Sequence, residues 1–171
     1  MARYPDNLIQ YVNWCGNCLL VRPVRPDDAP KFVTASLLCS AADLRFRFLR
    51  CMHRLSEGLA AQLTQIDYEQ HMAFVVEGLK GDIMAVTRLV RDGCKKSAEY
   101  AIIVRSDLQK QGLGTLAQKL LLDYAASLGL KEVWGLMDTE NRRALNLATK
   151  LGFSRVFQFG LPFVRVVKSL A

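Results

Sequence analysis

The sequence predicts a mixed α/β domain in which a helix crosses between two neighbouring strands, and three observations carry that reading. "HMAFVV", "IMAVTRLVR" and "SAEYAIIVR" are short β-prone segments separated by the turns "EGLKGD" and "DGCKK", so they form three successive antiparallel strands. Leu113, Leu116, Ala117, Leu120, Leu121, Tyr124 and Leu128 then recur at i, i+3, i+4, i+7, i+8, i+11 and i+15, one face of the best helix in the chain. Gly129 ends that helix, and the strand "KEVWGLM" follows to complete a strand–helix–strand unit.

The remaining elements fit around this centre. Residues 9–14 and 18–24 read as a hairpin about Gly16-Asn17, within a lead-in of residues 1–24. Asp27 or Asp28 can cap a helix with Pro30 in its first turn. Residues 41–65 read as one or two helices. "LRFRFLR" has two compatible readings, an amphipathic helix with Leu44, Phe48 and Cys51 inward and, with the next helix, a wall of a binding cleft. Ser56 opens that second helix, which buries Leu59, Leu63 and Ile66. "NRRALNLATKL" is a short helix closed by Gly152, and "FSRVFQF" and "FVRVVKS" are apolar, β-prone ends. No repeat, low-complexity tract or long linker interrupts the 171 residues, which read as a single domain, 1–171.

Composition narrows the function classes. About half the residues are hydrophobic and a quarter charged, as in ordinary soluble domains. No apolar run approaches the roughly 18–20 residues of a membrane span, and "MARYPDNLIQ" lacks a signal-peptide core, so the expected location is cytoplasmic. Five cysteines without regular spacing are no disulfide framework, and "CGNC" without a second pair or a nearby histidine reads as two reduced thiols about a turn, with no metal. The net charge of +7 is uneven: residues 109–171 hold nine basic residues against four acidic. No basic run is interleaved with aromatics, so a small polyanion or an acidic partner suits the charge better than nucleic acid.

The charge surplus begins at "QKQGLG", Gln109 to Gly114, between the apolar run "AIIV" and the long helix. Gly112 and Gly114 permit a tight turn that nothing blocks from outside. The free amides of the helix start, with the helix dipole, make a ready phosphate site, and Lys110 adds charge beside it. A Walker loop and the GxGxxG dinucleotide fingerprint are both absent. Taken alone, the hexapeptide also fits a turn with no ligand.

The hexapeptide matches the [QR]xxGx[GA] signature of the GNAT acetyltransferase superfamily, in that superfamily's setting of strand, turn and longest helix. "ENRRALNLATKLGF" resembles its second marker through Asn141, Ala144, Lys150, Gly152 and Phe153. From about Tyr4 to Phe153 the chain resembles the acetyltransferase domain of Pat-type bacterial protein lysine acetyltransferases, through "YPDNL", "VRPVRPDDAP", "LRFRFL", "LTQIDYEQHMAFVV", "RLVRD" and "AEYAIIVRSDLQKQGLG". The large acyl-CoA-synthetase-like portion of many such proteins is not in this sequence.

The resemblance implies a GNAT fold: a central, mostly antiparallel twisted sheet with a splayed strand pair and helices on both faces. It implies acetyl-CoA as co-substrate, its pantetheine arm along Ile102, Ile103 and Val104 and its pyrophosphate on the turn Gln109, Lys110, Gln111, Gly112, Leu113, Gly114 and Thr115. Asn141 would meet the arm from the far side, and an amide near Val104 would polarise the thioester carbonyl. The implied acceptor is a protein lysine, on an acyl-CoA synthetase or another metabolic enzyme; a small amine or a protein N-terminus is the alternative within the fold. A non-catalytic acetyl-CoA sensor is the alternative of another class.

A free lysine has a pKa near 10.4, so deprotonating it at pH 7 costs roughly 4 kcal/mol and a general base is useful. By resemblance that base is Glu99; from the strand pattern alone it is an exposed carboxylate. His71 at a strand start, His53 in "RCMHR", and Glu77 and Asp82 at a turn have ordinary surface readings. Many GNAT enzymes carry a tyrosine acid seven residues after the helix-opening asparagine. Here that place is Ala148, as in many Pat-type domains.

Overall fold

The computed structural model describes residues 3–93, 96–157 and 159–170, and its eight strands form one sheet in the order β1-β2-β3-β4-β5-β6-β8-β7. The strands are β1 (Gln10–Trp14), β2 (Asn17–Pro23), β3 (His71–Glu77), β4 (Ile83–Arg91), β5 (Ser97–Val104), β6 (Glu132–Asp138), β7 (Ser154–Phe157) and β8 (Phe163–Ser169). The helices are α1 (Ala29–Ser36), α2 (Ala41–Phe48), α3 (Glu57–Thr64), α4 (Leu113–Ser127) and α5 (Arg142–Lys150). Cys94 and Lys95 of the expected "DGCKK" turn lie outside the described residues.

Neighbouring strands are antiparallel except β5 and β6, the parallel pair that α4 connects. In β3, Met72 through Val76 are all buried, the pattern of a strand covered on both faces. Met72, Phe74 and Val76 face the larger core, which holds Leu113, Ala117 and Leu121 of α4 and Leu145 and Ala148 of α5. Ala73 and Val75 face the smaller one, with Phe32 of α1 and Ala60 of α3. Helices therefore cover both faces, with α4 and α5 on one and α1 and α3 on the other.

Four local expectations are corrected. The first hairpin turns at Cys15-Gly16, because Trp14 pairs with Asn17 and the two intervening residues have φ of 50° and 77°, as a type I′ turn requires. Cys51 lies beyond the end of α2 and is exposed; Leu44 and Phe48 do turn inward. Neither Asp27 nor Asp28 caps α1 with its side chain. The Asp28 carboxylate instead grips Arg22 at 2.7 and 2.8 Å and accepts the Arg25 N–H at 2.8 Å. Arg22 also reaches Glu77 at 2.6 Å, so Glu77 joins a buried ion cluster rather than an ordinary turn.

Burial pushes the Asp28 carboxyl up, but the bonds from Arg22 and the Arg25 amide outweigh it and hold the pKa below the ordinary carboxylate value. A depressed pKa contributes stability above the unfolded-state pKa and loses it as pH falls through the folded value. Asp28→Asn leaves Arg22 buried with Glu77 as its remaining carboxylate, and urea denaturation at pH 7 should show a loss of about 3 kcal/mol. The gap between wild type and variant should narrow as pH falls below about 3.9.

Candidate functional site

Strands β5 and β6 pair at Ser97–Glu132, Ala98–Val133 and Glu99–Trp134, although β5 runs on to Val104 and β6 to Asp138. Past that point β5 stays with β4 and β6 stays with β8, so the two strands part. The fork opens into a cleft of about 310 Å³, walled by β5 from Glu99 to Val104, by Gly135 to Met137, and by Phe46, Arg47 and Leu49 at the end of α2. At the start of the fork a Cβ on Gly135 would stand 2.9 Å from Tyr100 Cε1 and 3.2 Å from the Tyr100 carbonyl oxygen. Gly135 escaped the sequence reading, although a glycine inside a strand signals such an approach.

The glycine turn closes the other end. Lys110 and Gly112 are both left-handed, at φ of 62° and 84°, and α4 starts at Leu113 without a side-chain cap. The first N–H groups of α4 therefore lack helical partners, and the helix dipole favours an anion before them. Gly114 needs no special backbone. A Cβ there would make ordinary contacts with Leu147 and Val104, at 3.5 and 3.6 Å, which fits a signature that admits alanine.

Gln109 braces the turn by donating its Nε2 to the Val104 carbonyl at 3.1 Å and to Asp43 Oδ2 at 3.0 Å. Asp43, on α2, also accepts from the Ser40 and Ser106 hydroxyls and from Arg143 at 3.2 Å. The sequence reading missed Asp43. Locally it shows only as the third residue after a serine cap, and its other partners lie 63 to 100 residues away.

Of the residues expected at a coenzyme, Ile102, Ile103, Val104, Gln109, Lys110, Gly112, Gly114, Thr115 and Asn141 line the cleft, and Glu99 lies where the fork begins. Two do not line it. Leu113 is 1% exposed and its side chain belongs to the core, while Gln111 is exposed and its carbonyl accepts the Trp14 indole N–H at 2.9 Å. Main-chain amides are what these two positions can offer. Asn141 caps α5, its Oδ1 accepting the Ala144 N–H at 3.2 Å. Ala148 is in the core, and His53 and His71 are exposed.

Glu99 is half-buried, and no ion pair to it is found among the described residues. Burial and then the Asp92 charge raise its carboxyl pKa, while Arg47 and Arg165 offset part of the rise. Arg47 is itself lowered to about 10, by burial and then by Arg88, and so stays cationic at neutral pH. Among the described residues no three histidine, cysteine or acidic side chains group as metal ligands, and the Cys15 and Cys18 thiols are free and exposed. No helix among them is long and apolar enough to cross a membrane.

The three glycines should respond differently in thermal denaturation. Gly112→Ala forces alanine into a left-handed conformation and should cost about 1 kcal/mol. Gly114→Ala should leave the melting temperature nearly unchanged. Gly135→Ala, which drives a methyl group into Tyr100, should lower it most.

The acetyltransferase (GNAT) domain family model matches residues 19–154. Acetyltransferase PA5475 of Pseudomonas aeruginosa is 30% identical over 142 residues, 81% of this chain and 76% of that protein. Spermidine N(1)-acetyltransferase of Escherichia coli K12 is 35% identical over 95 residues, 51% of this chain and 50% of that one. The GNAT domain of S. lividans PAT superposes with a TM-score of 0.90 at 21% identity, over 98% of this chain and all of that domain. Spermidine N-acetyltransferase from Vibrio cholerae, in complex with CoA and spermine, superposes with a TM-score of 0.71 at 20% identity, over 88% and 95% of the two chains. The likeness to the two solved structures is one of fold.

Proposed function

The chain belongs to the GNAT acetyltransferase family, and on that premise we propose that it moves the acetyl group of acetyl-CoA to a lysine ε-amine of a protein, with Glu99 as general base. The observation that carries this reading is the place of Glu99: the last residue of β5 paired to β6, half-buried, at the start of the cleft. The coenzyme's pyrophosphate lies on the amides that open α4. Its pantetheine arm follows the β6-facing edge of residues 102–104, an edge with no strand paired to it.

The acceptor nitrogen then attacks the thioester carbonyl carbon. Glu99, directly or through water, takes one proton from the acceptor ammonium before the attack; as the C–N bond forms and the C–S bond breaks, the second proton leaves nitrogen for the departed thiolate. A carboxylate whose pKa is raised is a stronger base, nearer to the ammonium it must deprotonate. The thiolate leaves without a tyrosine acid, since a thiol pKa near 8–9 makes it a competent leaving group.

The spermidine acetyltransferase relatives favour a second reading, a polyamine acceptor. A polycation needs several open carboxylates. The cleft offers Asp43 and Glu99, and Asp43 is already engaged by Ser106, Gln109 and Arg143. Arg47, Lys110 and Arg143 line the same cleft. That balance supports an acceptor presenting one amine.

Release of CoA is measured with a panel of lysine-bearing proteins and with spermidine. The expected outcome is turnover with a protein, and a fall of at least about a hundredfold in kcat for Glu99→Gln with acetyl-CoA binding retained. Preference for spermidine would sink the protein-lysine reading, and coenzyme binding without turnover of any acceptor would favour a sensor. The rate should fall as pH drops through the raised Glu99 pKa, and Glu99→Gln should abolish this acid limb. Asp92→Asn removes the like charge and should move the limb to lower pH.

A further inference from the structure

The Gln109 side chain braces the start of the turn that opens α4, and the peptides beyond it are conformationally demanding. Lys110 and Gly112 are left-handed, a conformation unfavourable for lysine, and Gln111 between them is exposed. Support arrives from the tip of the β1–β2 hairpin, 97 residues away in sequence: the Trp14 indole N–H donates to the Gln111 carbonyl at 2.9 Å. The Cys15 sulfur lies 3.8 Å from the same oxygen. Trp14 is half-buried and packs against the larger core, so packing aims its N–H at the turn. The hairpin tip precedes the residues matched by the family model, which begin at Leu19.

In a trans peptide the C=O and the next N–H point in opposite directions, and the described chain has no cis bond. Holding the Gln111 oxygen toward the hairpin therefore turns the Gly112 N–H away from it. That N–H has no hydrogen-bond partner among the described residues, and Gly112 lines the cleft where Gln111 does not. It stands next to the open amides of α4's first turn.

We infer that Trp14 is a positioning residue for diphosphate recognition. By clamping the Gln111–Gly112 peptide it aims the Gly112 N–H, together with the amides of α4, at the pyrophosphate of the coenzyme. This rests on the coenzyme reading of the turn. Trp14 touches no reacting atom, so its effect is confined to ligands that carry the diphosphate.

The test compares acetyl-CoA with S-acetylpantetheine, which keeps the thioester and lacks the diphosphate, by NMR titration of wild type and Trp14→Phe. Phenylalanine keeps an aromatic ring in the core and removes the donor. The expected result is a dissociation constant for acetyl-CoA about three- to tenfold higher in the variant, the range of one lost hydrogen bond, with that for S-acetylpantetheine unchanged. Equal weakening toward both ligands would make Trp14 merely structural, and no weakening toward either would remove its role; both overturn the inference. A second measurement needs no variant: in wild type, acetyl-CoA and not S-acetylpantetheine should shift the Gly112 amide and Trp14 indole resonances. Binding of acetyl-CoA without those shifts overturns the role of Trp14 alone. Failure of wild type to bind acetyl-CoA overturns the coenzyme reading with it.

Discussion

The parting of β5 from β6 after Glu99 is the constraint on which the rest of the site depends. A strand edge inside a domain must satisfy its N–H and C=O groups or lose free energy for each one left bare. Here β4 serves one edge of β5 and β8 serves one edge of β6, so the sheet survives the split. The two inner edges then face each other across the cleft, with main-chain donors and acceptors ready for an extended ligand. The absence of a side chain at Gly135 lets the strands meet closely at Tyr100 before they separate.

A split sheet needs something to hold its halves in register, and α2 spans them. Asp43 binds Ser106 and Gln109 on the β5 side and Arg143 on the α5 side. Two residues on, Arg45 reaches Asp138 at 3.4 Å and Glu140 at 2.8 Å, at the end of β6 and just beyond it. Exposed pairs such as Arg45–Glu140 contribute little singly. Asp43, with a side chain 12% exposed and several donors around it, is the stronger tie. The helix that walls the cleft is thus tied to the glycine turn through Gln109.

Periodicity made the three central strands, the long helix and the following strand legible, because burial on one face imposes a repeat of 2 or 3.6 that a single sequence displays. The glycine turn was legible for a related reason. Gly112 needs a backbone that other residues resist, and its neighbours on either side are well-marked elements. The hairpin turn was displaced by one residue because a cysteine occupies a left-handed position that sequence preference assigns to asparagine or glycine.

By itself the sequence determined the order of the elements, the uncapped helix start that favours an anion, and a carboxylate ten residues before Gln109. These are local properties, set by side-chain period, backbone permissiveness and spacing along one strand. Only the tertiary structure decided that the carboxylate stands at the fork, that Asp28 joins a buried ion cluster rather than capping a helix, and that Asp43 and Trp14 reach the turn. The reason is distance along the chain. Hydrogen bonds between residues 66 or 97 positions apart leave no periodic trace, and nothing in a lone sequence couples one partner to the other.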